Sequence, residues 1–173
     1  SLRLRGYDYA RAGAYFVTIC THQRRCLFGR IEQETMYLSA AGHAVLRCWQ
    51  SIPQYHPHVC LDAFVVMPNH VHGILILRSV AAQHLVPSSR VQCIEPLRRE
   101  NRFQDVIPGS LGSVMRGFKA GVTKWCRQHT SIADVWQPSF YEHVIRDEQG
   151  WENLRHYIAT NPERWAQDRF YGA

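Results

Sequence analysis

The stretch Val59-Cys-Leu-Asp-Ala-Phe-Val-Val-Met67, then Pro68-Asn69, then His70-Val-His-Gly-Ile-Leu-Ile-Leu77, decides how the fold is read. Two runs of β-branched and aliphatic residues flank a two-residue break, and Pro68 has no N–H to give to a sheet ladder. So short a break predicts an antiparallel hairpin, with strand Val59–Met67 paired to strand His70–Leu77. Side chains alternate across a strand, so His70 and His72 point to one face and Val71 to the other. The apolar run from Val71 to Leu77 is of strand length, far short of the roughly 20 residues that cross a bilayer. Neither a membrane span nor a secretory segment is expected.

Upstream of the hairpin, Tyr15-Phe-Val-Thr-Ile-Cys-Thr21 reads as a strand. Ser39 is placed to cap a helix through Ala44, Val45, Leu46 and Trp49 that ends before Pro53. Downstream, residues 80–108 lose periodicity and carry prolines and the basic pair Arg98-Arg99, which predicts a long flexible loop or flap. Leu111, Val114, Met115, Phe118, Val122 and Trp125 then recur at helical spacing. The other face of that helix carries Arg116, Lys119, Lys124 and Arg127, which serve either as a solvated face or as phosphate contacts. After a break at Val135-Trp-Gln-Pro138 come a short strand, Tyr141 to Arg146, and a last helix, Trp151 to Thr160, halted at Asn161-Pro162. The order β, α, β, β, α, β, α predicts a single α+β domain over residues 1–173. Its architecture is a ferredoxin-like sandwich, an antiparallel sheet with helices mainly on one face.

Composition narrows the function. An apolar fraction of 46% with 20% charged residues over 173 residues belongs to a packed globular chain and excludes disorder. Twenty Lys plus Arg against fourteen Asp plus Glu give a net charge of +6 and a pI near 9.2. That balance favours a polyanionic partner, although a mildly basic soluble protein carries it too. Arg outnumbers Lys, and its guanidinium forks onto phosphate and stacks on bases. Five Trp, eight Tyr and seven Phe add stacking surface. The six cysteines form no C-x-x-C pair, which excludes a zinc ribbon and gives no disulfide framework. Reduced thiols fit a cytoplasmic location.

Two imidazoles on one rigid strand can ligate a divalent metal, though two histidines at a strand start also occur without one. A further ligand must come from elsewhere. Tyr157 and Asn161 stand four apart on the last helix and share a face, offering a phenolic oxygen and a carbonyl oxygen. A tyrosine beside a metal can attack a phosphodiester. Read alone, Tyr157 is more often a core tyrosine and Asn161 a helix terminator ahead of Pro162.

Taken together these strings resemble a family. His70-Val-His72 is similar to the paired-histidine motif of the HUH endonucleases, and the chain as a whole looks most like the REP-associated tyrosine transposases, within the IS200-like single-tyrosine branch. The resemblance runs through Tyr15-Phe-Val-Thr-Ile-Cys-Thr-His-Gln-Arg24, Val65-Val-Met-Pro-Asn-His-Val-His-Gly73, Gly117-Phe-Lys119, Val135-Trp-Gln137, Phe140-Tyr-Glu-His-Val-Ile-Arg146 and Tyr157-Ile-Ala-Thr-Asn-Pro162. It implies that His70, His72 and Asn161 bind a catalytic Mg²⁺ or Mn²⁺ and that Tyr157 is the nucleophile. The implied activity is cleavage and rejoining of single-stranded DNA beside hairpins through a covalent 5′-phosphotyrosine link.

Tyr141, on a predicted strand, is the rival nucleophile. His143 and Arg146, with Trp136 and Gln137, are placed to shape a DNA path or to serve structure. Arg24 and Arg25, with His22, follow the first strand and are either phosphate contacts or a solvated turn. Arg24, Arg25, Arg116, Lys119, Lys124, His143 and Arg146 are therefore the expected DNA contacts, and the protein acts as a monomer or a homodimer. Two other functions compete: a non-catalytic nucleic-acid-binding module on the same scaffold, and a hydrolase whose histidines activate water. The second is disfavoured by the absence of an H-E-x-x-H string or a carboxylate-rich cluster near the histidines.

Overall fold

The computed structural model describes residues 12–78 and 109–171, so the loop expected at 80–108 lies outside the described residues. Strand β1 (Gly13–Cys20) is followed by the short strands β2 (Gly29–Glu32) and β3 (Thr35–Leu38), helix α1 (Ala40–Gln50) and the single turn α2 (Ile52–Tyr55). Then come β4 (Val59–Met67), β5 (His70–Leu77), α3 (Leu111–His129), β6 (Tyr141–Ile145) and α4 (Glu148–Ala159). The four long strands form one sheet in the order β4-β5-β1-β6, and every pairing is antiparallel. With α1 and α3 as the crossovers, this is the βαββαβ order of the ferredoxin-like sandwich.

Alternation explains the layers. Tyr15, Val17 and Ile19 of β1 and Val71, Leu75 and Leu77 of β5 point to one face, where they pack with Val45 and Trp49 of α1 and Val114, Phe118 and Val122 of α3. The opposite residues, Ala14, Phe16 and Ile74, meet Ile158 and Tyr157 of α4. Two of the three long helices thus share one face, and α4 alone crosses the other. His70 and His72, in phase with Ile74, lie on the α4 side. No helix among the described residues is long and apolar enough to cross a membrane.

Three local differences from the sequence expectation have physical causes. The β2–β3 hairpin carries no Asn-Gly or Asp-Gly signal, because its turn puts Gln33 and Glu34 at φ 48° and 63°, a left-handed conformation that those residues rarely adopt. Helix α4 begins at Glu148 instead of Trp151, since the Asp147 carboxylate caps it by accepting from the Gly150 N–H at 2.7 Å. A bulge in β4 between Leu61 and Phe64 turns both Asp62 and Ala63 toward α4. Asp62 then accepts from the Trp151 indole and, at 2.8 and 2.9 Å, from the Arg155 guanidinium. Burial alone would raise this carboxyl's pKa, but the bonds from Arg155 and Trp151 outweigh it and hold it below the ordinary value. The clamp fixes α4, and Tyr157 with it.

Gly73 follows the histidine pair because Trp49 crosses the strand there. A Cβ at this position would lie 2.4 and 2.5 Å from atoms of the Trp49 ring, which is itself stacked on Phe64 with ring centroids 4.3 Å apart. Gly73→Ala should therefore destabilise the protein by about 1–3 kcal/mol through overpacking, read as a lower urea midpoint with an unchanged slope.

Candidate active site

His70 and His72 begin β5, directly across from Cys20 and Thr18 of β1, and both are fully buried. Their rings stand edge to face with centroids 4.6 Å apart. His72 meets Thr18 Oγ1 through Nδ1 at 2.7 Å and the Tyr157 hydroxyl through Nε2 at 3.3 Å. His70 Nδ1 lies 2.9 Å from Asn69 Oδ1. The Asn69 amide nitrogen donates to the Phe170 carbonyl at 2.8 Å.

That last bond settles a tautomer. A carbonyl only accepts, so the Asn69 nitrogen must face Phe170 and its oxygen must face His70. His70 Nδ1 therefore carries the proton, and its Nε2 presents a bare lone pair. That lone pair has no hydrogen-bond partner among the described residues, and the carboxylate oxygen Asp168 Oδ2 is 3.9 Å away. Both groups are acceptors. Asp168 in turn accepts from the Asn161 amide nitrogen at 3.4 Å, which leaves the buried Asn161 Oδ1 without a donor among the described residues. His70, His72 and Asp168 each offer an atom within 4.8 Å of the others.

The electrostatics agree with a site closed to protons. Burial, reinforced by the Arg169 charge, pushes the His70 pKa down to about 3. Burial, with His70 and Arg169 adding to it, drives His72 well below its ordinary value. Burial raises the Tyr157 phenol, with the Asp168 charge acting in the same direction, while Asn161 and Arg169 oppose it. Both histidines thus stay neutral and able to ligate, and the phenol keeps its proton until something takes it.

Of the residues expected from sequence, the structure brings together His70, His72, Tyr157 and Asn161. Asn161 sits one residue past the α4 cap Thr160, buried against Asp168. Tyr141 and His143 of β6 face the same side as His72, being in register with Thr18 and Phe16, but both are exposed. It is Tyr157, and not Tyr141, whose hydroxyl meets His72. Arg24 and Arg25 lie exposed in the turn after β1, and the Arg24 charge is felt at His70. Arg146 follows β6, beside the start of α4. Arg116, Lys119 and Lys124 ride on α3, across the sheet from the histidines. The Lys119 ammonium is already committed, donating to the carbonyls of Gln137 and Pro138.

Asn69, Thr18, Asp168 and Arg169 join the site without having been expected. Asn69 and Thr18 stood inside the quoted motifs, and alternation from His72 could have found Thr18. Asp168 and Arg169 belong to an irregular turn after α4, where no periodicity marks a residue.

The fold is similar to that of a known transposase: the structure of a REP-associated tyrosine transposase bound to a REP hairpin superposes with a TM-score of 0.62 over 95% of this chain and 73% of that one. The two share 21% sequence identity, so the likeness is one of fold. In sequence, the chain belongs to one family with an uncharacterized protein from Haemophilus influenzae (strain ATCC 51907 / DSM 11121 / KW20 / Rd), which is 42% identical to it over 99% of this chain and 92% of the relative. No protein-family model matches the chain.

Two expectations follow from these bonds. Asn69→Ala orphans His70 Nδ1–H and the Phe170 carbonyl, at a cost of about 1–3 kcal/mol for each group left buried and unpaired, read by urea unfolding. Acid should also weaken the metal-free protein. Below pH 6.5 the unfolded chain protonates His70 and His72 while the folded chain refuses the proton down to about pH 3 at His70, so stability falls as pH falls through that window. A melting temperature that is the same at pH 7 and pH 5 would contradict this.

Proposed function

We propose that this protein is a metal-dependent tyrosine transposase that cuts and rejoins single-stranded DNA flanking a hairpin. The observation that carries the reading is a group of buried acceptors beside the Tyr157 hydroxyl: His70 Nε2 and Asn161 Oδ1, neither of which meets a donor among the described residues, and Asp168 Oδ2, 3.9 Å from His70 Nε2. Acceptors arranged this way repel one another unless a cation lies among them. Two neutral imidazoles, a carboxylate and an amide oxygen make a donor set suited to Mn²⁺ or Mg²⁺. His70, His72 and Asp168 would hold the ion, with Asn161 offering its free oxygen. The Asn69 and Thr18 bonds fix the two rings from behind, as outer partners of metal-bound histidines do.

When bound, the ion supplies a Lewis acid for the phosphoryl oxygen of the strand to be cut. Tyr157 attacks that phosphorus through its phenolic oxygen and gives up its proton. The bond from phosphorus to the 3′ oxygen breaks, the 3′ oxygen takes a proton, and the 5′ side of the strand stays on Tyr157. Attack by another 3′ hydroxyl reverses these bond changes and rejoins the DNA. Packing of α4 against Phe16 and His72, at centroid distances of 6.2 and 5.2 Å from the Tyr157 ring, restricts the phenol to the metal side of the sheet. The hairpin in the superposed transposase and the chain's net charge of +6 support DNA as the substrate.

The test is a denaturing gel of the protein with end-labelled hairpin DNA carrying single-stranded flanks, in Mn²⁺. Label should migrate with the protein, and should vanish with EDTA and in Tyr157→Phe. Cleavage without an adduct would point to activated water, and hairpin binding without cleavage to a non-catalytic module. Metal binding is measured apart from activity: a Mn²⁺ titration followed by electron paramagnetic resonance should show one site, lost in His70→Ala and weakened about 10–100-fold in Thr18→Val, which frees the His72 ring.

A further inference from the structure

The site described so far attracts a cation, yet two guanidiniums stand at its edge. Arg169 lies with its central carbon 4.7 Å from the Phe170 ring centroid, and Arg24, from the far end of the chain, lies 5.4 Å from the same ring. That ring in turn sits 4.6 Å from His70 and 6.3 Å from His72, centroid to centroid. Both side chains are exposed, and neither forms an ion pair among the described residues. Two unpaired like charges at one ring gain from an anion that both can reach.

The backbone that delivers Arg24 is unusual. Gln23 and Arg24 have φ of 53° and 54°, a left-handed conformation that costs a non-glycine residue roughly 1–2 kcal/mol. The turn is held in it by the Arg24 N–H on the Thr21 carbonyl at 3.1 Å and by the Thr21 hydroxyl on the carbonyls of Arg25 and Asn69, at 2.8 and 3.0 Å. Asn69 holds the Phe170 carbonyl as well. One residue therefore registers both arginine-bearing turns against the histidine pair.

We propose that Arg24 and Arg169 form a phosphate clamp at the rim of the active site, gripping the phosphate on which Tyr157 acts and holding it through the covalent stage. This rests on the tyrosine reading above. The guanidiniums supply forked N–H donors to the non-bridging oxygens, and the Phe170 ring keeps both planar groups from swinging into solvent. Arg169 also places positive charge near Tyr157, where a phenolate must develop.

The probe is a short oligodeoxythymidine with a 3′ fluorophore, compared with and without a 5′-terminal phosphate, which resembles the end left on Tyr157. Anisotropy titrations in Mn²⁺ should show that the wild-type protein prefers the phosphorylated strand by about tenfold or more. Arg24→Ala and Arg169→Ala should each reduce that preference, and the double variant should abolish it, through weaker binding of the phosphorylated strand with the unphosphorylated strand's affinity and the melting temperature unchanged. Arg169→Lys should restore part of it, since the charge returns without the fork. A double variant that keeps the preference, or a wild-type protein that has none, overturns the clamp. The adduct gel separates this from the parent reading. An adduct with an arginine-independent preference removes the clamp alone, whereas an arginine-dependent preference without any adduct keeps the clamp and removes the tyrosine chemistry.

Discussion

The site depends on the orientation of one amide. Asn69, in the break between β4 and β5, gives its nitrogen to the Phe170 carbonyl and its oxygen to His70 Nδ1, while its own carbonyl receives the Thr21 N–H and hydroxyl. The first bond fixes which way the amide faces, the second fixes which His70 nitrogen is protonated, and the third ties the end of β1 to the same point. A residue that only breaks a strand in the sequence, itself 1% exposed, thus sets the protonation state of the fully buried His70 imidazole. Hydrogen bonds of this kind contribute little net energy each, but leaving any partner unmet is costly, so the network has few alternative arrangements.

The sheet divides the labour between its faces. On one, α1 and α3 build the larger apolar cluster around Trp49 and Phe118, which needs nothing from the site. On the other, α4 is held at its first turns by the Asp62 clamp and at its last by Ile158, which leaves Tyr157 and Asn161 to converge on the histidines from the C-terminal end. The strand alternation that buries Val71 and Leu75 in the first cluster is what exposes His70 and His72 to the second. Stability and chemistry therefore use the same strand without competing for its residues.

This alternation is also why so much was legible in the sequence. The hairpin from Val59 to Leu77, the shared face of His70 and His72, the helix over Leu111 to Trp125 and the position of Tyr157 all follow from periods of two or about 3.6. What escaped lacks a period. Gln33-Glu34 make a hairpin turn that their side chains do not favour, and the bulge at Asp62 breaks the alternation that would have placed it. Asp168, Arg169 and Phe170 lie in a turn held by the Asp168 carboxylate on the Phe170 N–H at 2.7 Å, a local bond with no counterpart in hydrophobic pattern. Lys119 lies on α3 where the helical period puts it, but the period does not reveal that its ammonium donates to two loop carbonyls. Asn161, read as a helix stop or a ligand, is buried against Asp168 in a way that leaves both readings room, since it ends the helix and still has an oxygen to give.

The charge arrangement makes the last point. Asp168 Oδ2, His70 Nε2 and Asn161 Oδ1 put acceptors at the centre, while Arg24 and Arg169 put donors at the rim, a few ångströms further out along the Phe170 ring. Neither layer is balanced by itself: the inner one lacks a positive charge and the outer one lacks a negative charge. A metal ion alone would satisfy the inner set and sharpen the repulsion at the rim. A phosphate alone would satisfy the rim and repel the inner acceptors. A phosphodiester bound to a divalent ion would answer both layers together, with its non-bridging oxygens shared between cation and guanidinium, which is the substrate that the proposed tyrosine chemistry requires.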